Sequence, residues 1–330
     1  MTDAELGLYS HTGMSKQPDE NSKHVGGQAV IEGVMMRAPQ GVAISVRRKN
    51  GSITTKSFPY VSRSKRMKLL GLPVVKGAVA LVEMLSLGIQ ALNWSAQQAT
   101  LDLEDENKKK TRASRASNIS IGLTLVVALA LGVGFFFYLP LFLTGLLVGN
   151  DNQVIFNMVA GVIRVIFFLG YVYFIQFIPD IKRIFQYHGA EHKAVFCYEN
   201  GCELSVDEAA DYSTKHPRCG TSFLLIVFAF AIVVFAIADS LLFGLTGIPP
   251  SRFVRFVFHI ALLPLIAGVS YELMKFSSKR TGNRLIRILI SPGLLLQRVT
   301  TVEPDRSQLE VGLVSLKEAL RFETGEADGS

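Results

Sequence analysis

Four long apolar stretches constrain the fold of this 330-residue chain more than any other feature. They are residues 119–148, 154–178, 222–245 and 253–274, and each has the roughly 20 residues that a helix needs to cross a bilayer. Hydrophobic residues make up 49% of the chain and charged residues only 18%, which excludes an ordinary soluble domain. The sequence therefore predicts a mainly α, polytopic membrane protein with about four transmembrane helices.

The four stretches form two pairs, which predict transmembrane helices 1–2 within residues 119–178 and helices 3–4 within residues 221–276. The first stretch is longer than one straight span requires. Gly132, Gly134 and Pro140 lie inside it, and they predict a kink, or a break near Pro140 followed by a second short helix.

The distribution of Lys and Arg predicts the orientation of these spans. Residues 101–118, 179–220 and 277–330 are rich in Lys and Arg, whereas residues 149–153 contain neither. By the positive-inside rule, the basic segments are cytoplasmic. We therefore expect a multi-pass protein of the cell membrane whose N- and C-termini are both cytoplasmic. The net charge of +7 predicts attraction to the bilayer's anionic lipid headgroups and not to nucleic acid.

The N-terminal part predicts a small β element. Residues 1–24 are polar and lack the apolar core of a signal peptide, so we expect a disordered tail. Residues 25–100 are expected to hold cytoplasmic strands, with Asn50-Gly51 as a tight hairpin turn, followed by an amphipathic or re-entrant helix. That helix contains Lys76 and Glu83, which make it a poor spanning segment. Residues 101–118 are expected to be a charged linker.

The run from Tyr187 to Lys193 contains the spacing H-x-x-E-H, which is typical of a metal site. On a helix, His188 and His192 share one face, and Glu191 points the same way. Two imidazoles with an adjacent carboxylate supply two ligands and a possible general base. Gly189 inside this helix costs about 1 kcal/mol relative to alanine, which indicates that a backbone or a ligand comes close there.

The cytoplasmic connection at residues 179–220 predicts two helices that carry the motif. The first holds both histidines on its apolar face. Ser205 and Glu208 form a capping box for a second, short helix. The chain then returns His216 and Cys219 to the membrane surface, where we expect them opposite the two histidines.

Two carboxylates stand in unusual places and are further candidates for the third metal ligand. Glu32 is alone in an apolar segment, and Glu272 lies at the cytoplasmic end of the fourth stretch. A charge near a membrane core is costly and usually has a partner. Each is therefore either a metal ligand or the ion-pair partner of Arg37, Lys275 or Arg284.

Three runs of the sequence together resemble the bacterial YqhQ-like membrane proteins, a domain family of unknown function whose members are described as predicted metal-dependent enzymes. The resemblance covers roughly residues 25–319. It implies a metal-dependent membrane enzyme without specifying a substrate. The runs are Gly26-Gly27-Gln28-Ala29-Val30-Ile31-Glu32-Gly33-Val34-Met35-Met36-Arg37, His188-Gly189-Ala190-Glu191-His192-Lys193 and His216-Pro217-Arg218-Cys219-Gly220-Thr221-Ser222-Phe223.

The histidine motif has two alternative interpretations. Histidines on an apolar helix face are often packed and hydrogen-bonded without any metal. Alternatively, Cys197, Cys202, His216 and Cys219 have the composition of a structural Cys3His zinc site. A disulfide framework is not expected, because all three cysteines of the chain fall in the cytoplasmic connection.

The sequence favours a metal-dependent hydrolase at the cytoplasmic membrane surface. We expect a divalent metal ion, zinc first on ligand type, held by His188 and His192 with a third protein ligand. Glu191 would be the general base, and Arg218 would hold an anionic transition state or headgroup. The alternative is a non-catalytic membrane scaffold in which the same motifs lock the structure together. Peptide, lipid and small-molecule substrates are all compatible with the sequence.

Overall fold

The computed structural model describes residues 25–62, 73–106, 126–149, 152–248, 250–278 and 284–324. The predicted disordered tail, residues 1–24, lies outside these ranges. So does most of the predicted linker, whose residues 101–106 belong to the end of a helix. Helices dominate the described residues, and a single small sheet lies near the N-terminus. This agrees with the predicted mainly α class and the predicted β element.

The sheet is a four-stranded antiparallel meander in the order β1-β2-β3-β4. Asn50-Gly51 forms the predicted turn between β3 and β4, with Gly51 at a φ of 86°. The apolar segment before it forms two strands, because the chain turns back at Glu32, whose φ is 53°. The strands are β1 (Gly26–Val30), β2 (Gly33–Arg37), β3 (Gly41–Arg47) and β4 (Ile53–Pro59).

Nine helices are present in the described part of the chain. Asn152 caps α3 by accepting hydrogen bonds from two backbone N–H groups, and Ser205 caps α5 as predicted. The helices are α1 (Pro73–Glu106), α2 (Val126–Leu147), α3 (Gln153–Ile175), α4 (Pro179–Glu199), α5 (Val206–Ala210), α6 (Gly220–Thr246), α7 (Arg252–Ser278), α8 (Arg284–Thr300) and α9 (Arg306–Thr324).

Helix α2 differs from the predicted break near Pro140. The helix runs through this proline, and the irregularity is instead a π-helical turn over Gly134–Tyr138. A wide turn of this kind absorbs a local mismatch of backbone hydrogen bonds without ending the helix. The predicted second short helix is therefore the continuation of the first.

Both faces of the sheet are covered, which explains why β2 and β3 are almost entirely buried. Side chains alternate between the faces of a strand. Val34 and Met36 accordingly lie in one core with residues of α4 and α9, whereas Met35 lies in a second core with Leu87 and Ala91 of α1. The sheet thus joins the motif helix α4 to the C-terminal helix on one side and to α1 on the other.

Five helices are long and apolar enough to cross a membrane, where the sequence predicted four. Four of them, within α2, α3, α6 and α7, correspond to the predicted stretches. The fifth is residues 75–101 of α1, which the sequence analysis set aside because of its charged residues. That segment is still apolar enough on average to cross a membrane, because Lys76 and Glu83 stand among many apolar residues.

Candidate metal centre

Three side chains from two elements meet beside the sheet. His188 and His192 lie one turn apart on α4, and their ring centroids are 4.6 Å apart. Cys219 is the N-cap residue of α6, and its Sγ lies 3.3 Å from Nε2 of His188. The three potential ligand atoms all lie within 4.8 Å of one another. Two imidazoles and one thiol are thereby gathered into a single group of metal-ligand type.

The outer nitrogen of each imidazole is held by a backbone carbonyl. Nδ1 of His188 lies 2.8 Å from the carbonyl oxygen of Thr300, and Nδ1 of His192 bonds to that of Thr214. A carbonyl only accepts hydrogen bonds, so each Nδ1 carries a proton, and each Nε2 is the nitrogen left to bind a metal once it has lost its own proton. Metal-binding histidines are usually oriented by a bond of this kind.

The surroundings favour a thiolate at Cys219. Burial raises the pKa of this thiol, but the charges of His188 and His192, with hydrogen bonds from both rings, hold the pKa well below its ordinary value. The pKa of His192 is raised. Burial lowers it, but the negative charges of Cys219 and Glu191 raise it by more. The thiolate is the form of cysteine that binds metals.

Glu191 lies against this group from the side of the sheet. Its Oε1 accepts a hydrogen bond of 2.9 Å from the backbone N–H of Gly27, and its Oε2 is 3.4 Å from Nε2 of His192. The carboxylate is buried, and its two oxygens have different neighbours. One oxygen is anchored to β1, and the other faces the ligand group.

Gly27 has a role that the sequence analysis missed. It lies within β1, where a Cβ atom would come within 2.3 Å of the carbonyl oxygen of Met35 and 3.0 Å of Cγ of Glu191. Only a glycine leaves room for the Glu191 side chain to reach the strand. Gly27 is thus part of the candidate centre, and its presence in the first of the three sequence runs was the available signal.

His216 lies near the group, with its ring centroid 5.7 Å from that of His192, but it is not one of the three converging ligands. Its Nδ1 accepts the backbone N–H of Arg218 at 3.2 Å, and its Nε2 lies 3.3 Å from the carboxylate of Glu199. Burial lowers the pKa of His216, which favours the neutral ring. Both ring nitrogens are therefore engaged, and the third ligand atom comes from Cys219.

Arg218 forms an ion pair with Glu199, the last residue of α4. Its side chain is 25% exposed, and burial lowers its pKa. Glu199 thus contacts both His216 and Arg218. The predicted contact of Arg218 with an anionic ligand stays a prediction, and it requires the guanidinium to share its charge with this carboxylate.

The structure does not bring Glu32 or Glu272 into the ligand group. Glu32 lies in the turn between β1 and β2, and its carboxylate accepts hydrogen bonds from Arg183 and, at 3.3 Å, from the hydroxyl of Tyr187. It is therefore an ion-pair partner, although of Arg183 and not of the predicted Arg37. Glu272 lies on α7 and belongs to no group of potential ligands among the described residues.

The two remaining cysteines form a separate pair. Gly201, with a φ of 67°, ends α4 and folds Cys202 back so that its backbone N–H bonds to the carbonyl of Cys197. The sulfurs of Cys197 and Cys202 lie at bonding distance, as a disulfide, which the sequence analysis did not expect. The alternative Cys3His zinc site is consequently not assembled.

Helix α8 supports the centre through residues that were assigned no role from the sequence. Oε1 of Gln297 accepts the backbone N–H of His216 at 2.7 Å, while its Nε2 donates to the carbonyl of the same residue at 2.9 Å. Gln297 is fully buried. This pair of bonds fixes the loop that carries Cys219, and Thr300 on the next turn holds His188.

Gly189 meets a neighbouring backbone, as its position in the helix predicted. A Cβ at this residue would lie 2.2 Å from the carbonyl oxygen of Val302, in the connection between α8 and α9. We expect Gly189→Ala to lower the free energy of unfolding by about 1–3 kcal/mol, because backbone must move to make room. Thermal unfolding of the purified protein measures this effect.

Gly170→Ala is the matched control for this substitution. Gly170 also lies within a helix, but a Cβ there meets nothing within 4 Å. It should be neutral or stabilising by up to about 1 kcal/mol. Equal unfolding midpoints for the two variants would contradict the close approach at Gly189.

Comparison with known proteins places this chain in a family. The sequence model of the family described as "Protein of unknown function (DUF1385)" matches residues 72–322. The "Uncharacterized protein YqhQ" of Bacillus subtilis (strain 168) is 32% identical over 311 residues, which cover 90% of this chain and 92% of the relative. No solved structure matches the chain. The match includes α4, Cys219 and α8, and the chain therefore belongs to the DUF1385 family, as its resemblance to the YqhQ-like proteins predicted.

Proposed function

We propose that this protein is a metal-dependent hydrolase that acts at the cytoplasmic surface of the cell membrane. One observation carries the proposal: the Nε2 atoms of His188 and His192 and the Sγ of Cys219 converge, while both Nδ1 atoms are held by backbone carbonyls. A carboxylate oxygen of Glu191 lies 3.4 Å from the His192 nitrogen. Ligands and base are thus adjacent.

The donor set fits a divalent metal ion, and zinc in particular. Zinc binds imidazole nitrogen and thiolate sulfur, and catalytic zinc sites use three protein ligands and one open position. The thiolate character of Cys219 fits the same ion, because soft sulfur ligands select zinc over magnesium or calcium. A divalent ion held by these three residues would supply an activated water, since such sites lower the pKa of water to about 7.

Glu191 is the residue of this chain best placed to accept a proton. The N–H of Gly27 holds one carboxylate oxygen, so the other keeps its direction toward the ligand group. A general base must lie within hydrogen-bond reach of the proton that it removes. Arg218 is proposed as the binding group for negative charge, with an effect weakened by its ion pair with Glu199.

A non-catalytic scaffold is the second candidate, and the polar contacts between distant elements favour it. Gln297 joins α8 to the loop before α6, and the hydroxyl oxygen of Ser315 in α9 lies 3.0 Å from one carbonyl oxygen of β2 and 3.0 Å from one of β3, between which its single proton is shared. Buried polar contacts of this kind fix one arrangement of elements whether or not chemistry occurs. Only the hydrolase turns over a substrate and requires Glu191 as a base for it; a scaffold requires Glu191 only for its contacts.

Contacts between the sheet and α4 support four membrane crossings out of the five candidate helices. The bond between Gly27 and Glu191 puts β1 and α4 on one side of the membrane, so an even number of crossings separates them. Three candidate helices, in α1, α2 and α3, lie between them along the chain. We propose that α1 is the helix that does not cross.

The faces of α1 fit this proposal. Leu87 and Ala91 are buried against the sheet, whereas Val82, Leu85 and Ile89 are exposed on another face of the helix. A helix at the membrane surface buries one apolar face in lipid. We therefore propose that α1 does not cross the membrane: its second half lies between the sheet and the bilayer, while Gly77 near its start packs on Gly268 within α7. The sheet and the metal centre would then be in the cytoplasm.

Cysteine labelling in intact cells tests this topology. With a membrane-impermeant maleimide, a cysteine introduced at Asn152 should react, whereas cysteines at Lys49 and Glu208 should react only after permeabilisation. All three positions are exposed, so access to the reagent depends on the side of the membrane. Labelling at Glu208 with protection at Asn152 would reverse the orientation, and opposite results at Lys49 and Glu208 would refute the proposed position of α1.

Chelation tests the hydrolase directly. The purified protein, reconstituted with zinc, is incubated with separate pools of esters, peptides and phospholipids. We expect product release from one pool that stops when a chelator is added and resumes when zinc returns. If the zinc-loaded protein hydrolyses none of the pools, or if hydrolysis is unaffected by complete removal of the metal, the proposal is wrong.

A further inference from the structure

A second cluster of polar side chains lies inside the candidate spanning helices. Asp239 and Arg255 are fully buried, and Asn157, His259 and Arg164 are at most 4% exposed. They come from α3, α6 and α7. Ionisable groups within a membrane are costly, and they commonly mark a binding site or a pathway for a polar ligand.

Asp239 is the centre of this cluster. The amide of Asn157 donates to its Oδ2 at 2.8 Å, and Nη1 of Arg255 lies 3.3 Å from the same oxygen. Nε2 of His259 lies 3.2 Å from Oδ1. The negative charge of Asp239 is thus paired with Arg255 and bonded to two further donors.

Arg164 forms no hydrogen bond or ion pair with the residues that the structure describes, and Asp239 acts on its charge only through space. Its guanidinium lies over the rings of Phe137 and Phe235, at 5.8 Å and 5.3 Å from their centroids. Its Nε and Nη2 are buried and have no hydrogen-bond partner among the residues that the structure describes. The aromatic faces compensate only part of a full positive charge.

The cluster therefore carries an excess of positive charge. Arg164 and Arg255 contribute two cations and Asp239 one anion, so these three side chains sum to +1. His259 stacks on the Phe235 ring that also faces Arg164, at a centroid distance of 3.8 Å. Its Nδ1 also lacks a hydrogen-bond partner among the described residues.

The cluster extends from one end of the helix bundle toward its middle. Gln153, the first residue of α3, accepts a hydrogen bond from Arg255. Arg164 lies eleven residues further along the same helix, which is about 16 Å at 1.5 Å per residue. Helix α3 continues toward α4 at its other end. The polar residues thus start at the end of α3 that lies away from the metal centre.

We propose that Arg164 is the core of a second ligand site, which binds an oxyanion, a carboxylate or phosphate group, inside the membrane-spanning bundle. The planar guanidinium matches two oxygens of such a group, and the anion supplies the charge that the cluster lacks. The ligand reaches the site from the surface opposite the metal centre. This site is independent of the proposed hydrolysis.

Thermal unfolding of the delipidated protein in neutral detergent tests the site, with sodium acetate and sodium phosphate as probes. A ligand that binds only the folded state raises the unfolding midpoint as its concentration rises. We expect about 2 °C or more per tenfold increase in the probe, relative to sodium chloride at equal ionic strength. Arg164→Met should abolish the increase.

Arg252→Met is the matched control. Arg252 also lies over a phenylalanine ring, that of Phe142, but at the first residue of α7 and partly exposed. This variant should keep the full response to acetate or phosphate. Without any probe, Arg164→Met should unfold at the same temperature as the wild type or higher, because an unpaired buried charge has been removed.

A second arm identifies the source of the oxyanion. Nanodiscs of phosphatidylglycerol are compared with nanodiscs of phosphatidylcholine, and the lipid retained after extraction is measured by native mass spectrometry. Retention of phosphatidylglycerol by the wild type but not by Arg164→Met identifies a lipid headgroup, whereas a response to acetate or phosphate alone identifies a small soluble anion.

Equal responses to chloride and the oxyanions, or unchanged responses in Arg164→Met, would overturn the proposal. If Arg164→Met does not fold, Arg164→Lys replaces it, and a response equal to the wild type in that variant refutes the need for the guanidinium.

Discussion

The wild-type protein is expected to bind one metal ion, and replacing His188, His192 or Cys219 with alanine is expected to remove it. Each residue supplies one of three converging ligand atoms, and the loss of one leaves a two-ligand site. Even residues that only support metal ligands change affinity by about 10- to 100-fold, so we expect a loss of at least 100-fold for a ligand itself. Elemental analysis after gel filtration measures the metal content.

Two controls distinguish this site from the alternatives that the sequence left open. His216→Ala removes a histidine of the same region whose ring nitrogens already have other partners, so it should retain most of the metal. Cys202→Ala should also retain it, because Cys202 pairs with Cys197 away from the group. Full metal content in the His188→Ala and His192→Ala variants would refute the centre. Loss of metal with Cys202 would support the structural zinc site instead.

Glu191→Gln is expected to lower hydrolytic turnover by about 100- to 10,000-fold while metal content and unfolding temperature stay unchanged. This is the usual contribution of a general base. The amide oxygen of glutamine still accepts the hydrogen bond from Gly27, so the contact between β1 and α4 is kept. The amide has no basic oxygen to take a proton. Initial rates with the substrate pool identified by chelation provide the measurement.

Glu199→Gln is the matched control for the base. Glu199 is a second, largely buried carboxylate on the same helix, but it contacts His216 and Arg218 and not the ligand group. Its replacement should reduce turnover much less than Glu191→Gln does. If Glu191→Gln keeps the wild-type rate, Glu191 is not the base, and a role in holding β1 against α4 is what remains for it.

The main elements of the fold were predictable because their signals are local. A run of about 20 apolar residues predicts a spanning helix whatever surrounds it. Asn50-Gly51 favours a hairpin turn through its own backbone preferences, and the turn occurs as predicted. Local signals were not sufficient for α1. Its charged residues argued against a span, its overall composition allows one, and its contacts with the sheet support the proposal that it does not cross.

The pair of histidines was also predictable, because a spacing of four residues on a helix determines which side chains share a face. The third member of the group was not. His216 and Cys219 are both ligand types and lie three residues apart, and the fold of the loop before α6 decides which of them reaches His188. That fold depends on bonds between His216 and Gln297, which are 81 residues apart.

The sequence by itself determined the mainly α class with helices long and apolar enough to cross a membrane, the hairpin, the helix that carries His188 and His192, and the need for a close neighbour at Gly189. Each of these follows from periodicity, length or backbone preference within one segment. The tertiary structure alone decided that Cys219 completes the group, that Glu32 pairs with Arg183, and that Gly27 makes room for Glu191. These contacts join residues far apart in the chain, and their energies depend on packing and burial that no local pattern encodes.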